Sequence, residues 1–137
     1  MIESKTYERS MSIRAVECLF YFNALWLFAV GCYVGVFRGW ENSYILFGDV
    51  IICGITGYLF RKLQSRILAV IVVIITALGC YMSLLLPVEE LQKSADYVSW
   101  DITMHKWFNI VLLVTSINGA IAIFQKKNEL REIKKRK

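Results

Sequence analysis

Four long apolar stretches separated by polar breaks dominate the chain: residues 15–37, 44–60, 67–88 and 107–124. A helix needs roughly 20 apolar residues to cross about 30 Å of hydrocarbon at about 1.5 Å per residue. Each stretch meets or approaches that length, so the pattern predicts an all-α protein, a transmembrane four-helix bundle forming a single domain over 1–137. The second stretch (YILFGDVIICGITGYLF) is the shortest and contains Asp49. The third (ILAVIVVIITALGCYMSLLLPV) is the most uniformly apolar and holds the only proline, Pro87, at its far end. Between the third and fourth, Leu91, Ala95, Val98 and Ile102 recur at helical spacing. A short interfacial helix is expected in that outer loop, with Trp100 and Trp107 resting at headgroup level.

Composition strengthens the membrane reading, because 57% hydrophobic residues is too apolar for a soluble domain of 137 residues. Charge then orients the bundle. Thirteen of the sixteen Lys and Arg residues fall in the N-terminal segment (Lys5, Arg9, Arg14), the second loop (Arg61, Lys62, Arg66) and the basic tail over 125–137, against Arg38, Lys93 and Lys106 on the other side. The positive-inside rule therefore predicts both termini in the cytoplasm. The net charge of +5 is read as topology, and no nucleic-acid partner is expected. The first stretch is about twice the length of a signal-peptide core and lacks an A-x-A site, so it is expected to remain as an anchor. The tail QKKNELREIKKRK should extend the fourth helix by a turn or two as a topology anchor, in a form that also suits anionic lipid or a partner protein. Lys134 and Lys135 resemble the dilysine retrieval signal of endoplasmic-reticulum membrane proteins, whereas the compact build favours a bacterial inner membrane.

Candidate chemistry is sparse. Cys18, Cys32, Cys53 and Cys80 lie in apolar stretches without a C-x-x-C pair and read as small core residues. His105 stands alone, without metal-ligand spacing. No G-x-S-x-G, Walker or H-E-x-x-H motif occurs, so neither an enzyme, a metal nor a cofactor is expected. Asp49, about 7.5 Å below the outer boundary, is a candidate proton or cation site, since ionisable groups inside a membrane often mark function; the alternative is a carboxylate that reaches the outer headgroup region through a slipped helix register or a thinned bilayer. Glu17 is a second such candidate; three residues after Arg14, it is also placed to pair with that residue on one helix. Asn23, Thr56, Thr76 and Asn118, one from each stretch, lie roughly 6 to 14 Å from the inner ends and are expected to form a polar layer that sets helix register. Gly31 and Gly35, with Gly39, and the pair Ser116 and Ala120 are small-residue steps that permit close helix packing.

These features predict a small polytopic protein acting by protein–protein interaction, as an accessory subunit of a membrane complex. In general build it is similar to the small polytopic immunity proteins that protect against pore-forming colicins, which implies a membrane-targeting toxin as one kind of partner. The alternative is a homo-oligomeric transporter or channel using Asp49. Glu17 resembles the first-helix glutamate of small multidrug-resistance transporters, but the strong charge bias and long third loop of this chain depart from their pattern.

Overall fold

The apolar stretches fold as helices that outrun them at both ends of the chain. The computed structural model describes residues 2–85 and 99–136. Among them are four α-helices: α1 (Ile2–Arg38), α2 (Tyr44–Leu63), α3 (Arg66–Leu85) and α4 (Ser99–Arg136). All four are long and apolar enough to cross a membrane. With 20 residues each, α2 and α3 are about 30 Å long, close to the thickness of the hydrocarbon core.

The N-terminal segment and the C-terminal tail depart from expectation, because both are continuous helix. The tail continues α4 as far as Arg136, beyond the turn or two anticipated. The N-terminal segment is the first third of α1. The two overhangs hold one another: Arg9 donates from both terminal nitrogens to the Glu129 carboxylate, at 2.5 and 2.7 Å. That bidentate geometry is the strongest arrangement open to an arginine and a carboxylate. The expected interfacial helix falls mostly outside the described residues, as does Pro87; from Ser99 onward the backbone already belongs to α4.

Packing order differs from chain order. α1 lies between α2 and α4, α3 lies against α4, and the consecutive helices α2 and α3 barely touch. The turns explain how the chain reverses. Between α1 and α2, Gly39 takes φ 100°, a left-handed conformation that glycine adopts without a steric penalty. A short 3-10 turn over Trp40–Asn42 follows, closed by the Ser43 hydroxyl donating to the Trp40 carbonyl at 2.9 Å. Between α2 and α3, Gln64 adopts the left-handed region and caps α2 through its N–H to the Phe60 carbonyl. That turn lies at the same end as both termini, since Lys126 donates to Gln64 and Arg66 donates to Asn128.

Two apolar clusters form the core. The larger, nearer the termini, joins all four helices through Val16, Phe60, Val72, Leu112 and Ile123 among others. The smaller, farther away, links α1 and α2 through Leu27, Val30, Val34 and Leu46. Large apolar side chains such as Phe22, Ile55, Ile74 and Val114 remain exposed on every helix, as lipid contact requires and water does not favour.

Small residues set the helix spacing. A Cβ on Gly119 would sit 2.5 Å from Val16 and 3.2 Å from Phe60, so this glycine lets α1 and α2 close onto α4. Ser116 and Ala120, on either side of it in sequence, are both buried. Gly31 packs against Phe47 and Leu46 of α2, and Gly35 lies under the Trp40 ring. Both first-helix glycines thus serve packing within the chain. The cysteines do not behave alike: Cys80 is buried, Cys53 and Cys32 are half-buried and Cys18 is exposed, which corrects the expectation of four core residues.

Candidate functional site

Because α2 and α3 part while α1 and α4 stay together behind them, a cavity of about 290 Å³ opens between the two outer helices. Its polar lining comes from every helix: Asn23 of α1, Asp49 of α2, Thr76 of α3, and His105 and Asn109 of α4. Ile52 and Ile75 complete the wall and are themselves exposed, so the cavity opens sideways rather than along the bundle axis. Phe20 and Leu112 in its lining also belong to the larger apolar cluster, which lies toward the termini.

Sequence periodicity places Asp49 and Cys53 one turn apart on α2, and His105 and Asn109 one turn apart on α4. Asn23 is buried and donates to the Cys53 sulfur at 3.4 Å. Asn109 is buried and donates to the Ser83 hydroxyl at 2.6 Å, and Ser83 donates in turn to the Gly79 carbonyl at 2.7 Å. This relay ties α4 to α3 by side-chain hydrogen bonds. Asp49 lines the cavity yet remains exposed. It sits five residues into α2, about 7.5 Å along the helix.

The single polar layer is not assembled. Asn23 and Thr76 both line the cavity, but Thr76 donates to the Val72 and Val73 carbonyls of its own helix. Thr56 is half-buried and lies outside the lining, and Asn118 is exposed on α4. Asn118 is nine residues from Asn109, and at 3.6 residues per turn that separation puts the two on opposite sides of α4. α4 contributes Asn109 and Ser116 to the buried interior, and of the two it is Asn109, on the cavity, that sequence reasoning passed over. Its signal was the one-turn spacing from His105.

Glu17 also changes partner. The Arg61 guanidinium of α2 donates to Glu17 Oε2 at 2.9 Å, and the Tyr21 hydroxyl donates to Oε1 at 3.1 Å. The expected pair with Arg14 is replaced by this bond between helices: Glu17 is buried against α2, whereas Arg14 is exposed. Glu17 is absent from the lining of the α2–α3 cavity. The two acids singled out by sequence thus belong to separate sites. Among the described residues, no three of His, Cys, Asp and Glu cluster to hold a metal ion.

Comparison with family models, with curated proteins and with solved structures found no match to this chain.

Proposed function

We propose that this is an integral membrane protein, with both termini in the cytoplasm, that works by binding another membrane protein through the opening between α2 and α3. The observation that carries this reading is Asp49, a carboxylate within a span that is exposed at the side of a polar cavity. An aspartate deep in a bilayer costs about 2.5–3.5 kcal/mol on insertion scales and less toward the interface. A helix from another chain, bringing a hydrogen-bonding side chain to Asp49, His105 and Asn109, removes that cost and covers the gap between α2 and α3. The thirteen basic residues on the side of the termini support the orientation. An immunity function fits within this class, the incoming helix then belonging to a membrane-targeting toxin.

A second reading is favoured by one feature, the shared lining of Asp49 and His105 in a single cavity. It makes the protein a homo-oligomeric transporter in which Asp49 carries a proton or cation. The larger apolar cluster on the side of the termini, which offers no charged or polar side chain of its own, weighs against it.

A photo-crosslinking residue placed at Ile52 or Ile75 in native membranes separates the two. The interaction reading expects a foreign membrane protein captured at both positions in stoichiometric amount, and little capture at the outward-facing Leu25 or Val114. Capture of a second copy, together with a flux abolished by Asp49→Asn, replaces it with transport. Equal capture at all four positions removes the α2–α3 opening as the binding surface.

A further inference from the structure

The end of the bundle that carries the termini holds a second cavity, of about 390 Å³, which the reading above does not use. Three helices enclose it: Thr6, Arg9, Ser10, Ile13 and Arg14 come from α1, Arg61 from α2, and Lys126 and Glu129 from α4, with Gln64 from the following turn. Four cations and one carboxylate face this space. The carboxylate is already committed, since Glu129 is gripped by both terminal nitrogens of Arg9. Arg61 is balanced by Glu17 just outside the lining, which leaves an excess of positive charge from Arg14 and Lys126.

Of Arg14, Arg61 and Lys126, two are held in position before any ligand arrives. Arg61 is fixed through Nη1 by the buried Glu17, which Tyr21 also holds. A guanidinium has five N–H donors, so the bond to Glu17 leaves others for the cavity. Lys126 is fixed by Gln64 at 2.6 Å and keeps two of its three donors. Arg14 makes no ion pair or hydrogen bond among the described residues, although it lines the same space. Three cations lining a pocket between helices, at the boundary where the apolar stretches end, match the chemistry of a tetrahedral phosphate oxyanion.

We propose that this cavity binds a phosphate-bearing anion, with Arg14, Arg61 and Lys126 as its ligands. The phosphate belongs either to an anionic lipid headgroup or to a soluble anion; the chemistry of recognition is the same.

Native mass spectrometry of the full chain in detergent tests this, with phosphatidylglycerol, phosphatidylcholine and inorganic phosphate as probes. The expected result is retention of phosphatidylglycerol at least about tenfold better than phosphatidylcholine, reduced about fivefold or more by Arg14→Gln. Arg131→Gln makes the same change of charge on the exposed part of α4 outside the cavity, and should leave retention unchanged. If phosphate at millimolar concentration displaces the lipid, or is retained in its place and lost in Arg14→Gln, the natural ligand is a soluble anion. If lipid selectivity persists against phosphate, the ligand is a headgroup. Equal losses in Arg14→Gln and Arg131→Gln, or no preference over phosphatidylcholine together with no retained phosphate, overturn the proposal. Arg14 has no structural partner, so a folding defect does not confuse the outcome. None of these results depends on what occupies the α2–α3 opening.

Discussion

Arg61 reaches from the last turn of α2 to the buried carboxylate of Glu17 on α1, and the 2.9 Å bond between them ties the two helices where the apolar stretches end. Removing one partner is costlier than removing both, because a buried carboxylate without its cation keeps its desolvation cost. Arg61 is half-exposed, so solvent screening reduces the effect. Arg61→Met should destabilise the fold by about 1–2 kcal/mol. Adding Glu17→Gln should recover part of that loss. Unfolding measured by steric trapping in bicelles, as a double-mutant cycle, checks it; purely additive losses would show that the pair does not couple.

Glycine substitutions should divide by position. At Gly119 a methyl group would enter the space of Val16 and Phe60, and overpacking of this kind costs typically about 1–3 kcal/mol. Gly48 and Gly54 have open space around the same position, so alanine there should be neutral or stabilising by up to about 1 kcal/mol. Thermal unfolding midpoints of the three alanine variants should fall clearly for Gly119 alone.

The hydroxyls of α3 should also behave differently. Ser83→Ala leaves the buried Asn109 amide without its acceptor, a loss of roughly 0.6–1.7 kcal/mol for a hydrogen bond between helices in a membrane. Thr76 bonds only to its own helix, so Thr76→Val should change stability less than Ser83→Ala. The opposite order would mean that Thr76 holds a partner across the cavity.

The overhangs of α1 and α4 should separate in acid. The Arg9 hydrogen bonds hold the Glu129 carboxyl below its ordinary range. A depressed carboxyl pKa stabilises the folded pairing fully above the unfolded glutamate value of about 4.3, and that contribution is lost as pH falls through the lower folded value. Spin labels at the exposed Tyr7 and Leu130 should give one short, narrow distance at pH 7 that broadens well below pH 4. A distribution unchanged to pH 2 would show that apolar contact alone holds the overhangs together.

The orientation has a direct check. With the native cysteines replaced, single cysteines at Ser94 and Asn128 should react with an impermeant thiol reagent from opposite sides, Asn128 only after the membrane is opened. Labelling of both from one side would overturn the proposed topology.

The sequence by itself determined the four membrane-length helices found among the described residues and roughly where their apolar parts lie, because hydrophobicity over the length of a bilayer leaves the backbone few alternatives to hydrogen bonding within a helix. It also displayed the charge bias, which needs only counting. What it left open was the rotation of each helix. In a soluble protein a polar stripe reveals the outward face, but residues facing lipid are as apolar as those facing a neighbour, so hydrophobicity alone does not mark the buried face of a helix. Only the tertiary structure turned Asn109 inward and Asn118 outward, paired Glu17 with Arg61 instead of Arg14, and placed Gly119 against Val16 of α1 and Phe60 of α2. The same packing parted α2 from α3 and so made a polar cavity of Asn23, Asp49, Thr76, His105 and Asn109. Residues so far apart in the chain meet only when small side chains, steric fit and hydrogen bonds between helices select one arrangement among many of similar hydrophobicity.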